Sequence, residues 1–213
     1  MPTRSKASKK APKKPGRGEK ATRAPRRRDR DVLDAAVKVF YERGYSDATV
    51  QDVADELGIL KGSLYHYIET KEDLLFQLVS EVHAQVQGIL EEVEAEEGLA
   101  PLDQLELYVR KQVEYNLENL ERISIYYHDL NRLTGERLDY VKGLRRNHDQ
   151  FVTKLITAAQ KDGTADKSFD ARLMANCVFG TIIWTYQWYR PGRMSRKSVV
   201  DVCVHHALHG VVR

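Results

Sequence analysis

The chain has 213 residues, of which 42% are hydrophobic and 31% charged, so it contains enough apolar material for one large or two small globular units and is not disordered as a whole. Two cysteines are too few for a disulfide framework, and we expect Cys177 and Cys203 to be buried, reduced thiols. The basic N-terminus is not followed by an apolar segment, so we expect no secretory signal and a cytoplasmic location.

The net charge of +3 conceals an uneven distribution along the chain. Residues 1–30 carry 13 Lys or Arg against only Glu19 and Asp29, which leaves 21 basic and 29 acidic residues in the remainder. A basic segment on an acidic body suggests a polyanionic partner such as a phosphate backbone. We expect residues 1–27 to be a flexible basic tail, which either adds affinity for DNA without sequence preference or is a solvated arm or purification remnant.

The rest of the chain is predicted to be helical throughout, because apolar residues recur three and four apart and no long alternating run indicates a sheet. The predicted helices cover residues 30–43, 50–57, 61–68, a long segment that begins after Thr70, and then 102–119, 122–132, 136–162, 168–190 and 196–211. The longest charge-free run, residues 173–189, contains polar residues and is shorter than the roughly 20 residues that a bilayer span needs. We therefore expect an all-α fold and no membrane span.

Two short helices joined by a tight turn predict a helix-turn-helix. Thr49 and Thr70 begin capping boxes at the starts of the second and fourth helices. Gly58 supplies the left-handed conformation that the turn requires, and the small Ala54 lets the second and third helices approach each other.

The exposed face of the third helix is left with groups that donate to phosphates and base edges, namely Lys61, Ser63, Tyr65 and His66. A helix presented in this way fits the major groove of DNA, while the second helix crosses the DNA backbone.

Residues 32–75 closely resemble the DNA-binding domain of the TetR family of repressors, and the run AAVKVFYERGYSDATVQDVADELGILKGSLYHYIETKEDLL from Ala35 to Leu75 carries the likeness. It implies a three-helix DNA-binding domain over residues 28–75 and a larger helical domain for ligand binding and dimerisation over 76–213. It also implies phosphate binding by Lys71 and the amides at that helix start. By position, the residues that it places on DNA are Thr49, Lys61, Ser63, Tyr65, His66 and Lys71.

The resemblance further implies a homodimer, and the last two predicted helices support one independently. Their apolar stripes are larger than a peripheral helix normally buries, so we expect them to pack against the same pair in a second subunit. The stripes consist of Leu173, Val178, Ile182 and Ile183, and of Val199, Val202, Val204, Leu208 and Val211. Two recognition helices about 34–36 Å apart would then contact both halves of a palindromic operator.

Aromatic residues cluster in the C-terminal part, where they either form a pocket for an amphipathic inducer or fill an ordinary core and the dimer rim. The segments IYYHDLNRL (125–133) and QWYRPG (187–192) are similar to the TetR branch that controls lipid and steroid breakdown and responds to acyl-CoA thioesters. This likeness implies that Arg145, Arg146 and Arg190 meet the CoA phosphates. The candidate effector residues are Tyr126, Tyr127, Asn131, Arg145, Arg146, Trp184, Gln187 and Arg190.

We expect no catalytic or metal site and no cofactor besides the effector. His205 and His209 are four residues apart, but no third metal ligand is evident near them. The Glu-rich end of the fourth helix is typical of a solvated surface, and nothing resembles a nucleophile elbow.

The sequence thus predicts a ligand-responsive bacterial transcription repressor that acts on nucleoid DNA. Two alternatives stay open: a sequence-nonspecific architectural protein that binds DNA mainly through its tail, and a small-molecule-binding protein whose helix-turn-helix is vestigial. A preference for palindromic over scrambled DNA separates the repressor from the architectural protein.

Overall fold

The computed structural model describes residues 27–212, with side chains from Arg28 onward, and these residues form an all-α fold, as predicted. The helices are α1 (Arg27–Arg43), α2 (Val50–Glu56), α3 (Lys61–Leu64), α4 (Lys71–Glu94), α5 (Pro101–Glu118), α6 (Leu120–Asp129), α7 (Gly135–Asp162), α8 (Ala171–Ile183), α9 (Thr185–Trp188) and α10 (Arg196–His209). A 3-10 turn (Leu130–Arg132) follows α6. The predicted basic tail lies outside the described residues except for Arg27, where α1 begins.

The capping boxes predicted for α2 and α4 are both present. The Thr49 hydroxyl accepts a hydrogen bond from the Asp52 N–H at 3.2 Å, and the Asp52 carboxylate accepts one from the Thr49 N–H at 2.8 Å. Thr70 and Asp73 make the same pair of contacts at 3.3 and 2.7 Å. Since a side-chain cap stabilises a helix by about 1 kcal/mol, these boxes fix the starts of the helices on either side of α3.

Two apolar cores occupy the described residues. The first joins α1, α2, α3 and the first half of α4, and it also includes α6 side chains such as Ile123 and Ile125. The second joins the rest of α4 to α5, α7, α8 and α10. Because α6 packs directly on α1, the apolar core is not divided at residue 75, where the sequence predicts the domain boundary.

Two predicted helices differ from those observed. The third helix ends at Leu64 and continues only as turns to residue 67. The single helix predicted over 168–190 is wrong, because the chain begins α8 at Ala171 and breaks at Trp184. At this break the Ile182 carbonyl accepts hydrogen bonds from the Thr185 hydroxyl at 2.7 Å and the Asn116 amide at 3.3 Å. Such side-chain contacts compete with the helical ladder, and apolar spacing does not reveal them.

The two cysteines have different environments. Cys203 is buried, as expected, whereas Cys177 is exposed, so the expectation of a buried thiol there was wrong. Cys177 lies beside the core-facing residues Met174 and Val178 of α8 but on the outer side of that helix. Among residues 27–212, no helix combines the length and the apolar character needed to cross a membrane.

Candidate nucleic-acid interface and effector site

The turn between α2 and α3 forms the predicted elbow. Gly58 has φ +66°, a left-handed conformation that favours glycine, and the next N–H, that of Ile59, donates to the Ala54 carbonyl at 3.0 Å. Leu64 has no exposed surface and anchors α3 in the first core. The short third helix is thus fixed by its apolar face.

The outer face of α3 carries the predicted DNA-contacting groups. Lys61, Tyr65 and His66 are exposed, and Ser63 is half-buried. Among the described residues, none of these four side chains has a hydrogen-bond partner. Residues 57–68 contain no Asp or Glu, and the acidic residues that share a cleft with His66 are Asp31, Glu69 and Asp73. This arrangement suits a phosphate backbone or the acceptor atoms of base edges.

The hydroxyl of Thr49, another predicted DNA contact, is engaged within the protein. It donates to the Asp52 carboxylate at 2.7 Å, and an Arg43 guanidinium nitrogen lies 2.5 Å from the same carboxylate. The Thr49 hydrogen bonds, followed by Arg43, lower the pKa of Asp52. A hydrogen bond donated from this hydroxyl to DNA would therefore have to replace the one to Asp52.

Lys71 closes the loop between α1 and α2. Its ammonium group donates to the carbonyls of Tyr45, Ser46 and Ala48 at 2.7, 3.2 and 2.8 Å, and it lies 4.5 Å from the centre of the Tyr45 ring. Three carbonyls thus occupy the three donors of the ammonium. The phosphate contact predicted for this side chain would require it to leave them.

An aromatic cluster lies where α6 meets α9. The rings of Tyr126 and Tyr127 meet edge to face at 4.8 Å, and Tyr127 stacks on Tyr186 with centroids 5.8 Å apart. Burial raises the pKa of Tyr126 to about 12 and that of Tyr127 still further. Both hydroxyls therefore remain protonated and able to donate.

Two histidines, the buried His83 and the half-buried His148, adjoin this cluster and were missed in the sequence analysis. The Nε2 atom of His83 lies 2.9 Å from the Tyr126 hydroxyl, and that of His148 lies 2.7 Å from the Tyr108 hydroxyl. Burial lowers the pKa of each histidine to about 4, and the nearby positive charge of Arg145 acts in the same direction. The signal that could have found His83 is its place on the apolar face of α4.

Lowering the pH from 7 to 5 should destabilise the fold by about 2 kcal/mol for each of these two histidines. The folded-state pKa of about 4 lies below the ordinary value of 6.5, so the unfolded chain binds more protons between these values. This contribution is complete above pH 6.5 and is lost as the pH falls toward 4. In urea titrations at fixed chain concentration, His83→Gln should remove about half of the difference in stability between pH 7 and pH 5. If His83→Gln loses as much stability between pH 7 and pH 5 as the wild type, the lowered pKa of His83 is contradicted.

Arg145 on α7 is positively charged and half-buried next to this cluster. Its guanidinium influences the pKa values of His83, His148, Tyr126 and Tyr127, which places it near all four rings. Within the described part of the chain, no hydrogen bond or ion pair engages it. A partly buried cation of this kind is suited to an anionic ligand.

A cavity of about 170 Å³ lies between α4 and α7, beside the same histidines. Its lining combines the apolar side chains of Val86, Leu90 and Leu144 with His83 and His148. The Ser80 hydroxyl also lines it and is buried without a hydrogen-bond partner among the described residues. A mostly apolar cavity with a few polar groups is typical of a small-molecule site.

The other predicted effector residues lie around the edge of this region. Gln187 contacts His128, with the two nitrogens 3.3 Å apart, and Trp184 is exposed at the break between α8 and α9. Arg190 is exposed and donates to the carbonyl of Tyr189 at 2.8 Å. Asn131 and Arg146 are also exposed. Tyr126, Tyr127 and Arg145 therefore lie in one region, while Asn131 and Arg146 are accessible at the surface.

Ion pairs connect α6 and α7 to α1 and α4. Arg122 on α6 contacts Asp34 on α1 and, at 3.1 Å, Glu81 on α4. Near the start of α7, Arg137 pairs with Asp73 at the start of α4. These contacts join α6 and α7 to the two helices that hold the helix-turn-helix in place.

The outer surface of α8 and α10 is mixed, and fewer stripe residues reach it than the sequence suggests. Val178, Ile182, Val199, Val204 and Val211 are buried within the subunit, because α10 packs on α5 and α8. The exposed apolar residues of this face are Leu173, Trp184 and Val202, each more than 60% exposed. The expectation that the whole stripe faces a second subunit was therefore wrong for the buried residues.

Comparison with known proteins now identifies the family. Residues 32–78 match the family profile described as bacterial regulatory proteins, tetR family. Residues 98–211, more than half of the chain, match the tetracyclin repressor-like C-terminal domain. The chain belongs to the TetR family. The family and the general function predicted from the sequence, a ligand-responsive transcription repressor, are thereby confirmed.

This TetR-family chain has relatives that match it over most of their length. It is 31% identical to the HTH-type transcriptional repressor KstR2 of Rhodococcus jostii (strain RHA1) over 163 residues, or 76% of this chain and 79% of that protein. The ketosteroid regulator KstR2 of Mycobacterium tuberculosis has the same fold, with a TM-score of 0.82 at 24% identity over 87% of this chain and 95% of the other. AibR, solved with isovaleryl coenzyme A and operator DNA, also has this fold. Its TM-score is 0.77 at 24% identity over 84% of this chain and 97% of the other.

TetR-family regulators are generally transcription factors without enzymatic activity. Among residues 27–212, no group of three or more His, Cys, Asp or Glu side chains is arranged to hold a metal ion. His205 and His209 stack on each other with ring centroids 3.8 Å apart.

Proposed function

We propose that this TetR-family chain is a dimeric repressor that binds a palindromic operator and is released by an anionic, amphipathic effector, an acyl-CoA thioester. The observation that carries the proposal is the face of α3, where Lys61, Tyr65 and His66 are exposed and have no acidic neighbours in residues 57–68. The protein acts in the bacterial cytoplasm on nucleoid DNA.

In this proposal α3 enters the major groove and Lys61, Ser63, Tyr65 and His66 make the direct contacts, because their donors have no partner among the described residues. Thr49 and Lys71 lie at the edges of the interface, where their hydroxyl and ammonium groups hold the fold together. The amides at the start of α4 then supply the phosphate contact. The basic residues 1–27 add affinity for the phosphate backbone.

The dimer forms through the outer face of α8 and α10, where Leu173, Trp184 and Val202 would otherwise remain in water. A two-fold interface on this face places the same residues of both subunits together and leaves the two α3 helices free. Sedimentation of the purified chain should give a two-chain species at micromolar concentration.

The effector lies among α4, α6 and α7. Its acyl group enters the cavity of about 170 Å³ beside Ser80, and an anionic group pairs with Arg145. This cavity has the volume of about six water molecules, so a CoA moiety must extend out of it. The exposed Arg146 and Arg190 are the proposed partners of the CoA phosphates. The proposed contacts of the rest of the effector are Asn131, Trp184 and Gln187. AibR, which has the same fold, was solved with isovaleryl coenzyme A and operator DNA, and this supports an acyl-CoA thioester as the class of effector.

Effector binding acts on DNA binding through α6. Tyr126 and Tyr127 are the proposed effector contacts on this helix, and Tyr126 belongs with Ile123 and Ile125 to the first core, which includes the DNA-binding helices. Arg122 fixes α6 to α1 and α4. An effector that binds better when α6 is displaced therefore shifts the population away from the DNA-binding arrangement.

The proposal is tested by binding to duplexes at physiological salt. The wild-type chain selects its operator from a random duplex library, and affinity is compared with that for a scrambled duplex. Isovaleryl-CoA and a longer acyl-CoA are then added, with free CoA as the control. We expect a large preference for the selected duplex and release by at least one thioester. Equal affinity for both duplexes supports the architectural alternative, and thermal stabilisation by a thioester without DNA binding supports a vestigial helix-turn-helix.

Arg145→Gln should bind operator as the wild type does but require roughly 10- to 100-fold more thioester for release. Loss of one charge-assisted hydrogen bond costs about 1.5–3 kcal/mol of effector binding. Lys142→Gln, at an exposed position on the same helix, is the matched control and should respond normally. A wild-type response of Arg145→Gln would remove Arg145 from the effector site.

A further inference from the structure

One apolar side chain stands out on the proposed DNA-binding surface. Leu60, immediately before α3, is 80% exposed, the largest exposed fraction of any large hydrophobic residue that the structure describes. Its neighbour Ile59 packs against the first core, so the turn already contributes one apolar side chain to that core. Leu60 remains in solvent. Lys61, next in the chain, is one of the proposed DNA contacts.

Leu60 also occupies a position where a polar side chain would stabilise the helix. It is the N-cap of α3, with extended φ −68° and ψ 141°, and its side chain caps nothing. Thr49, Thr70, Asp170 and Ser195 cap α2, α4, α8 and α10 through side-chain hydrogen bonds, whereas α5, α6, α7 and α9 begin, like α3, without one. A leucine at an N-cap gives up that stabilisation, so the start of α3 gives no local reason for an exposed leucine.

We infer that Leu60 contacts the C5-methyl group of a thymine in each operator half-site. The inference rests on the proposed function, in which the start of α3 enters the major groove. There the apolar group that base edges present is the thymine methyl, and the other edge atoms are hydrogen-bond donors and acceptors. Leu60 cannot satisfy those atoms, and burying its exposed surface against a methyl group is favourable. Lys61, Tyr65 and His66 supply polar contacts, and Leu60 adds selection for thymine.

The test removes the methyl group alone. The operator selected by the wild-type chain is synthesised with each thymine in turn replaced by deoxyuridine, symmetrically in both half-sites. At one position we expect the wild type to lose about tenfold in affinity, since each half-site loses one buried methyl contact. Leu60→Ser should show no loss at that position and should bind the uridine duplex as the wild type does. Leu99→Ser, at another exposed leucine, is the matched control and should behave as the wild type throughout.

Three further results separate a lost thymine contact from unfolding and from failure of the proposed function. Leu60→Ser should unfold at the same temperature as the wild type or above it, because serine is a favoured N-cap, so reduced binding would not reflect unfolding. If every uridine substitution affects wild type and Leu60→Ser equally, the thymine contact is refuted while the repressor function stands. If the wild type enriches no duplex from the library, both the contact and the proposed function fail.

Discussion

Replacing Tyr65 with alanine is expected to lower operator affinity by on the order of 100- to 10,000-fold. The ring is 48% exposed at the C-terminal end of α3, and its hydroxyl has no partner among the described residues, so it is free to donate to a phosphate or a base edge. A hydrogen bond to a charged group contributes about 1.5–3 kcal/mol, and a dimer loses it in both half-sites. Fluorescence anisotropy with the selected duplex measures the change.

Tyr41 offers a matched control for this substitution. It is 50% exposed on α1, outside the proposed interface, and Tyr41→Ala removes the same side chain from the same fold. We expect both variants to keep the wild-type unfolding midpoint, since neither ring belongs to the core residues. Equal operator affinity of Tyr65→Ala and Tyr41→Ala would show that α3 does not face the DNA.

Local signals are the part of this protein that its sequence predicts well. Thr49 and Thr70 each precede an aspartate by three residues, and both form the expected capping boxes. Gly58 takes the left-handed conformation that a tight turn requires. In each case the physical cause lies within a few residues of its effect, so the order of residues is enough to place it.

Contacts between distant segments are the part that periodicity does not predict. The α8–α9 break depends on Asn116, 66 residues before the carbonyl that it contacts. Val199 and Val204 were predicted to face a second subunit, but an apolar stripe does not specify which neighbour covers it, and here α10 packs within the chain. His83 and His148 have tyrosine partners 43 and 40 residues away, so neither pair is visible as a motif.

Lys71 combines both cases, because its place at the start of α4 follows from the sequence, whereas its hydrogen bonds to carbonyls of the loop between α1 and α2 do not. Lys71→Met is expected to destabilise the folded protein by about 3 kcal/mol. Methionine keeps most of the apolar stem but removes three donors, which leaves the carbonyls of Tyr45 and Ala48 unpaired. These residues are only 8% and 2% exposed. A buried acceptor without a partner costs about 1–3 kcal/mol, and the cation over the Tyr45 ring is lost as well.

Comparison with Lys61→Met shows whether the Lys71 ammonium closes the loop between α1 and α2 or binds a DNA phosphate. Lys61 is exposed and makes no hydrogen bond among the described residues, so its loss should weaken operator binding and leave the urea midpoint unchanged. If the Lys71 ammonium closes the loop, Lys71→Met shows the opposite pattern: a lowered urea midpoint and, at a temperature where it remains folded, a smaller loss of operator affinity than Lys61→Met. If Lys71→Met instead keeps its midpoint and loses operator binding, the ammonium leaves its three carbonyls for a phosphate, and the loop is held by its apolar contacts alone.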